Sequence, residues 1–355
     1  MQSVHLMRIN QILFLGIFPL FWKPIAARYG HRPVFLLSTF VSMVCNIGGV
    51  FCHSYGTQMV TRVFAAIFIC PPIGIGSAVV TEVFFSHQRA QKMGYWTLLT
   101  TMGAPFGPFI MGFVVTHAGV AWMFWIFTIM NGCQFLGYFL LDSETLYTRN
   151  NGADHASQKP RWYSRLVFRR IDKSPLTAAS FYSPALLARY PSIIIPACAY
   201  SIIFCYANIN IIVEMPVVFG GKFHLTSQQL GLQSLGLMIG LVLGEQVGGP
   251  MSDYLIRRHR KHVGRPDNAY RLWIAYPGFA PLIAGMIVWG CQVENATTGV
   301  YNITPLIGAS IASFGSQIVA TTLVTYSVDC NRDRSDDIGV LINVVRQVWG
   351  FVSFC

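Results

Sequence analysis

Charged side chains are scarce in this sequence. Asp, Glu, Lys and Arg make up 11% of its 355 residues, against roughly 25% in soluble globular domains, whereas 53% of the residues are apolar and 14% aromatic. A large soluble protein would place charges every few residues along its exposed helices. The shortage of charge therefore argues against a soluble domain and favours a membrane protein.

Recognised enzyme and nucleotide-binding motifs are missing as well. The sequence contains no G-x-S-x-G, no H-E-x-x-H and no G-x-x-x-x-G-K-S/T, which argues against a hydrolase, a zinc protease and an ATP-driven pump. The nine cysteines are dispersed without a C-x-x-C pair, and His259 and His262 lie in a basic run. We therefore expect no disulfide framework, no metal site, no cofactor and no enzyme activity.

Long apolar runs, by contrast, recur along the chain. A helix needs about 20 mainly apolar residues to cross a bilayer. No basic n-region precedes the first run, so we expect no cleaved signal peptide. Ten runs are predicted to be membrane spans: 6–22, 34–52, 59–81, 93–116, 120–141, 192–219, 229–251, 272–291, 303–328 and 338–355.

The basic residues between these runs predict the orientation of the chain. Of the 25 Lys and Arg residues, 21 lie in alternate gaps, namely 23–33, 82–92, 142–191, 252–271 and 329–337. Cytoplasmic connections retain Lys and Arg, so these gaps are predicted to be cytoplasmic and the N-terminus to be outside. Topology thus accounts for the net charge of +11, and we expect no nucleic-acid partner. The sequons at Asn295 and Asn302 fall in or beside an outside gap and are candidate glycosylation sites.

One long basic gap predicts the division of the chain. Residues 142–191 form a polar linker between an N-terminal half, residues 1–141, and a C-terminal half, residues 192–355, each with five predicted spans. The last span ends at the chain terminus. Within the linker, residues 161–170 mix arginines with aromatic residues. This mixture suits a helix on an anionic membrane surface, although a solvated basic linker has the same composition.

The gap after the first span resembles the loop signature of the major facilitator superfamily, G-x-x-x-D-R-x-G-R-R/K. Arg28, Gly30 and Arg32 match the signature. Three positions depart from it, since a glycine, an aspartate and a basic residue are replaced by Lys23, Ala27 and His31.

A second, partial copy of the signature follows the seventh span. It retains Gly249 and Asp253 and continues with Arg257 and Arg258. One copy in each half is expected of parallel repeats. We interpret Arg28, Gly30, Arg32, Asp253 and Arg257 as gating loops, in which Asp253 accepts hydrogen bonds from arginines and holds a cytoplasmic gate. The alternative for Asp253 is an ordinary interfacial carboxylate.

In the fourth span, Gly103, Gly107, Pro108 and Gly112 resemble the glycine–proline signature of the antiporters of that superfamily. Small residues of this kind let two helices approach closely. A generic packing face of small residues, common in membrane helices, explains the glycines equally well.

The wider runs 82–96, 214–216 and 244–249 resemble the fungal multidrug–proton antiporter branch of the superfamily. The resemblance implies an all-α membrane bundle of two repeated halves with twelve spans, of which about ten are present here. It also implies a multi-pass plasma-membrane protein that exports drug-like or secondary-metabolite-like compounds against protons. The lipid bilayer, a small-molecule substrate and protons are then its partners. The alternatives are a non-functional transporter fragment, or a membrane-embedded enzyme or receptor without a recognised motif.

Charged residues within the spans are candidates for substrate and proton coupling, because each costs about 2.5–3.5 kcal/mol at mid-span. Arg62 lies where the resemblance implies a buried arginine linked to proton movement, although Ala65 and Ala66 replace the residues that follow it in the family. The alternative is an arginine that reaches the outer interface. Glu214 lies near the outer end of the sixth span, where it would meet substrate or interfacial water.

Glu245 is the third candidate. Gly236, Gly240, Gly244 and Gly248 recur every four residues and predict a side of the seventh span on which another helix packs closely. Glu245 lies about 100° around the helix from Gly244, at the border of that side. A carboxylate there is partly removed from water, which favours proton binding. We therefore predict a proton-coupling role, with a structural glutamate hydrogen-bonded to a neighbouring helix as the alternative.

The predicted orientation can be tested by labelling single cysteines in sealed cells. A cysteine at Lys159 should react only after the membrane is made permeable, because its gap is predicted to be cytoplasmic. A cysteine at Thr297 is the control and should react from outside. Labelling at position 159 by an impermeant reagent in intact cells would overturn the orientation.

Overall fold

The protein is described by a computed structural model that covers residues 2–52, 54–83, 89–141, 179–263, 268–297, 299, 301–331 and 334–354. These ranges contain helices and no strand. The α-helices are α1 (Gln2–Ile17), α2 (Pro19–Tyr29), α3 (His31–Val50), α4 (Tyr55–Ile69), α5 (Pro71–Val83), α6 (Arg89–Ala118), α7 (Ala121–Leu141), α8 (Ala179–Leu186), α9 (Pro191–Phe204), α10 (Ile211–Phe223), α11 (Ser227–Val263), α12 (Ala275–Glu294), α13 (Thr304–Cys330) and α14 (Ser335–Phe354). A π-helical turn, Cys205–Asn210, joins α9 to α10.

Within the described ranges, nine stretches are long and apolar enough to cross a membrane. They are Asn10–Tyr29, His31–Val50, Tyr55–Ser77, Gln91–Ala118, Ala121–Leu141, Pro191–Phe223, Ser227–Ile256, Ala269–Glu294 and Thr304–Cys330. Each coincides with one of the ten predicted spans. The tenth forms helix α14, which carries Asp336, Asp337 and Arg346 and is not among the nine. The prediction of an all-α membrane protein is confirmed.

The predicted gating loops are helical, which corrects the sequence analysis. Arg28 lies in α2, Arg32 in α3, and both Asp253 and Arg257 in α11. Hydrophobicity decreases at the edge of the bilayer, but a helix need not end there, because Arg, Lys and Ala favour helix. Gly30, with a φ of +94°, is the single non-helical residue between α2 and α3.

The chain forms two compact units. The first comprises Met1–Phe85, Phe124–Ala188 and Asp336–Cys355, and the second comprises Ser86–Met123 and Arg189–Ser335. Helix α6 thus belongs to the unit that contains most of the predicted C-terminal half. Grouping by contact and relation by sequence repeat are different properties, so the division at residues 142–191 stays a prediction.

The first unit has an apolar core around Trp22. Trp22 of α2 is packed with Phe35 of α3 and Ile75 of α5, and its indole N–H donates to the Ile67 carbonyl at 2.9 Å. A Cβ built on Gly74 would lie 2.7 Å from the Cβ of Pro19, so α2 and α5 approach closely there.

The second unit is organised around α13, the most buried of the nine candidate spans. On one side, Gly240 and Gly244 of α11 lie against the backbone of α13, where a Cβ on Gly244 would be 2.5 Å from the Phe314 carbonyl oxygen. On the other side, Gly285 of α12 approaches Gly308 of α13, and a Cβ on Gly308 would be 2.7 Å from the Trp289 amide nitrogen. Glycines therefore allow close contact along both faces of α13.

This packing predicts different costs for two alanine substitutions. At Gly240 a Cβ would overlap the Ser310 carbonyl oxygen, whereas at Gly103 it would meet no atom of the described residues within 4 Å. Gly240→Ala should lower the free energy of unfolding by about 1–3 kcal/mol relative to Gly103→Ala. Both are mid-helix glycines, so helix propensity cancels in the comparison. Denaturation of the two purified variants in detergent measures the difference, and equal stabilities would contradict the packing.

Candidate functional site

Glu245 occupies a buried position inside the second unit. Its side chain is 3% exposed. One carboxylate oxygen, Oε2, accepts hydrogen bonds from Gln317 Nε2 at 2.8 Å and from Thr321 Oγ1 at 2.5 Å. Both donors lie on α13. Neutral groups thus surround this carboxylate in the part of the chain that the structure describes.

The other carboxylate oxygen, Oε1, lies against two glycines. A Cβ built on Gly94 of α6 would overlap this oxygen, and one built on Gly249 would lie 3.0 Å from it. Glycine at position 94 therefore provides the space that the carboxylate occupies. The site is formed where α6, α11 and α13 meet.

The four glycines that precede and follow Glu245 at four-residue spacing all face α13. Cβ atoms built on them would contact Leu306 or Ser310 at Gly236, Ser310 at Gly240, Phe314 at Gly244 and Ile318 at Gly248. The rotation of Glu245 away from this row directs it to the junction with α6.

The glycines of the fourth span differ in how closely another helix approaches them. Gly112 and Gly231 lie at a close crossing of α6 and α11, where a Cβ on Gly231 would be 2.8 Å from the Pro108 carbonyl oxygen. Cβ atoms on Gly103 and Gly107 would contact nothing described within 4 Å. The expectation of close packing therefore fails at Gly103 and Gly107, because helix crossings bring backbones together only locally.

Arg271 forms the centre of a charged cluster in the second unit. Its guanidinium lies 3.0 Å from the Asp329 carboxylate and 3.6 Å from that of Asp253, and it donates to Ser252 Oγ at 3.0 Å. Arg271 is 5% exposed. The sequence predicts that Asp253 accepts hydrogen bonds from arginines, and the side chain of Arg257, the other gating residue on this helix, lies outside the described residues. The arginine that contacts it here comes from the turn Asn268–Ile274.

The first copy of the signature lies in the first unit. Arg28 and Arg32 are buried, and Arg32 Nη2 donates to the Phe139 carbonyl at 2.8 Å. Lys23, which departs from the signature, forms an ion pair with Asp337, and Ser183 Oγ donates to the same carboxylate at 2.6 Å. A departure from the family pattern is thus matched by an acidic partner on α14.

The other two charged candidates have less enclosed surroundings. The Arg62 guanidinium carbon lies 5.4 Å from the centre of the Phe124 ring, a cation–π contact within the first unit. Glu214 is exposed, in the first turn of α10.

The predicted outside gap 292–302 contains both sequons. Asn295 is exposed, and Asn302 Oδ1 accepts hydrogen bonds from the backbone and hydroxyl of Thr304 at 3.0 and 2.8 Å. Lys222, the lone basic residue among the other predicted outside gaps, donates to the Val293 carbonyl at 2.6 Å, at the C-terminal end of α12. A cation there stabilises the helix terminus.

The sequence analysis did not identify several residues of these sites. Gln317 and Thr321 bind Glu245, and Arg271 and Asp329 complete the charged cluster. The sequence did contain a signal for Gln317 and Thr321. These polar residues lie four positions apart, on one side of an apolar span that is rich in small and hydroxylated residues. The charged pair carried no such signal, since its members lie 58 positions apart in two different gaps.

Comparison with known proteins agrees with this architecture. The model of the Major Facilitator Superfamily matches residues 6–354. The chain is 24% identical over 345 residues to "Probable efflux pump mfs2" of Aspergillus flavus, a match that covers 94% of this chain and 80% of the relative. It is 22% identical over 332 residues to "Cycloheximide resistance protein" of Candida maltosa, covering 89% of this chain and 59% of that protein.

A third relative, "MFS-type transporter hepF" of Aspergillus oryzae, is 26% identical over 327 residues. That match covers 90% of this chain and 65% of the relative, so the chain spans less than two thirds of two of these three proteins.

Solved structures share the fold. The human organic anion transporter MFSD10 aligns with a TM-score of 0.63 at 14% identity, covering 99% of this chain and 77% of that protein. The proton:xylose symporter XylE aligns with a TM-score of 0.67 at 10% identity, covering 99% and 78%. With a family model that matches nearly its whole length, the chain belongs to the Major Facilitator Superfamily of membrane transporters.

Proposed function

We propose that this transporter exports small amphipathic organic compounds in exchange for protons, and that Glu245 is the group that binds the proton. The observation that carries the proposal is the buried carboxylate of α11 among neutral partners. An ionised side chain inside a membrane span is costly, and such residues commonly mark ion or proton pathways.

The two oxygens of Glu245 have different surroundings, which suits a proton carrier. Oε2 receives both hydrogen bonds, from Gln317 and Thr321. Oε1 faces Gly94 and Gly249 and accepts no hydrogen bond from the described residues. A proton on Oε1 would therefore displace no existing contact, and both charge states keep the donors on Oε2.

The substrate class is supported by the relatives. Two of the fungal proteins are named for efflux and for resistance to cycloheximide, a small organic compound. We extend that class to this chain, together with export across the plasma membrane and glycosylation of the predicted outside gap. Asn295 suits the modification better than Asn302, because its side chain is exposed and the Asn302 carboxamide is bound to Thr304.

We further propose that the Arg271 cluster acts as a cytoplasmic gate within the second unit. One buried guanidinium joins α11, through Asp253, to the C-terminal end of α13, through Asp329. If these carboxylates were only ordinary interfacial groups, the burial of Arg271 between them would have no role. A pair of carboxylates around one arginine also allows one contact to break while the other is kept.

Glu245→Gln should abolish gradient-driven accumulation while substrate exchange across equilibrated membranes continues, because the amide preserves the shape of the side chain but does not bind a proton. Proteoliposomes that contain the chain measure both rates. Glu214→Gln is the matched control and should behave as wild type.

The outcome of this pair of variants decides between the candidate roles. Undiminished accumulation in Glu245→Gln would refute the proton-coupling role. Loss of folded protein from the membrane would identify Glu245 as a structural residue, and loss of accumulation in the control alone would transfer the role to Glu214.

Asp329→Asn should weaken the proposed gate more than Asp253→Asn, because its carboxylate lies closer to Arg271. Both pairs are largely buried, so the loss of one carboxylate charge should cost more than the value of about 1 kcal/mol that is typical of a surface pair. The effect is measured as faster labelling from the cytoplasmic side of Cys330, present as the sole cysteine. Glu294→Gln removes an exposed charge from the opposite predicted side and should leave the rate unchanged. Identical labelling rates of Cys330 in all three variants would contradict the gate.

A further inference from the structure

The π-helical turn between α9 and α10 places an asparagine inside the second unit. Asn208 is 2% exposed, and its Nδ2 donates to Ser316 Oγ of α13 at 3.1 Å. π-Helical turns occur frequently at functional sites, where they replace the regular hydrogen-bond pattern of the α-helix. The turn therefore presents a polar side chain to α13, the most buried of the nine candidate spans among the described residues.

The orientation of the Asn208 carboxamide follows from its partner. The Ser316 hydroxyl donates its own hydrogen to the Ser313 carbonyl at 2.9 Å, so its oxygen can only accept from Asn208. Asn208 must then present Nδ2, which directs Oδ1 elsewhere. Among the described residues this buried Oδ1 has no hydrogen-bond partner.

Gln317 is constrained in the same way from the opposite side. Its Nε2 donates to the Glu245 carboxylate at 2.8 Å and lies 3.3 Å from Thr321 Oγ1. An ionised carboxylate only accepts, so Gln317 must present its nitrogen there. Its Oε1 is fully buried and, like the hydroxyl of Ser313, lacks a partner within the described ranges.

The three residues that carry these atoms are linked through α13, because Ser313 and Gln317 lie within one turn of Ser316. At 100° per residue, Ser313 lies between Ser316 and Gln317 on an arc of about 100° around α13. Ser316 is the residue that Asn208 contacts. The three residues thus offer two acceptors and one hydroxyl, all buried, and leaving such groups unsatisfied is unfavourable.

We infer that Asn208, Ser313 and Gln317 bind an ordered water molecule. The water donates its two hydrogens to Asn208 Oδ1 and Gln317 Oε1 and accepts the hydrogen of Ser313 Oγ. Three hydrogen bonds are typical of a buried water. The chemistry of the three groups matches a water molecule because two of them can only accept, and the third can donate.

This water extends the Glu245 site to the π-helical turn. Gln317 contacts Glu245 on one side and the water on the other, so Asn208 is a positioning residue for the carboxylate. A change of register in the turn would withdraw Asn208 from the water and release Gln317. This consequence rests on the proposed function, in which Glu245 binds the proton, whereas the water site itself does not.

The water site is tested by infrared spectroscopy of the purified chain in ordinary and ¹⁸O-labelled water. Wild-type protein should show an O–H stretching band of buried water that shifts with the isotope. Asn208→Leu and Gln317→Met should each lose that band. Ser201→Ala is the matched control, because it removes a buried hydroxyl of α9 that donates to the Ala197 carbonyl at 2.6 Å, and it should keep the band.

A band that persists in Asn208→Leu would overturn the inference. If that variant does not fold, Ser313→Ala removes one hydroxyl alone and should shift the frequency of the band, since the water loses one partner. An unshifted band in Ser313→Ala would equally overturn it.

Melting temperatures provide a second measure. The decreases in melting temperature caused by Asn208→Leu and Gln317→Met should not add up in the double variant. Each substitution removes the same water, although the two side chains share no direct hydrogen bond. Additive losses would contradict a shared water. Failure of the proton-coupling role appears separately, as undiminished accumulation in Glu245→Gln with the water band unchanged.

Discussion

Close contact between the backbones of α11 and α13 is the constraint on which the second unit depends. Lipid tails are as apolar as the helices, so the hydrophobic effect does not drive helix association inside a bilayer, and van der Waals packing and hydrogen bonds must do so. Glycines at four-residue spacing on α11 allow the contact. The same approach brings Gln317 and Thr321 within hydrogen-bond distance of Glu245. Packing and the carboxylate site therefore share one cause.

The polar residues of α13 are accommodated in two different ways. The hydroxyls of Thr322, Thr325 and Ser327 donate to backbone carbonyls four residues earlier in the same helix. These three side chains are buried, and each hydroxyl donates its hydrogen bond within its own helix and needs no partner on another one. Gln317 and Thr321 instead reach across to α11. The second group specifies which helix packs against which, a role that apolar packing alone serves poorly.

Sequence reasoning succeeded where a local pattern carries three-dimensional information. The positions of nine spans followed from apolar length, and the packed side of α11 was predicted from the period of Gly236 to Gly248. It failed where partners are distant in sequence, as for Arg271 with Asp253 and Asp329. It also placed the ends of helices too early, since α2 and α11 continue into their basic gaps, as far as Tyr29 and Val263. Hydropathy marks the limits of the bilayer and not the limits of the helix.

The π-helical turn has a consequence for the evolution of this transporter. A π-helical turn corresponds to one residue more than a regular α-helix would need over the same rise. The wider turn takes up that extra residue locally, so deleting a single residue from Cys205–Asn210 would restore the regular helix without turning the helix that follows. Glu214 and Pro216 of α10 would then keep nearly their present neighbours. A one-codon deletion is thus a short mutational route that changes only the side chains of the turn, Asn208 among them, and leaves the rest of this span in place.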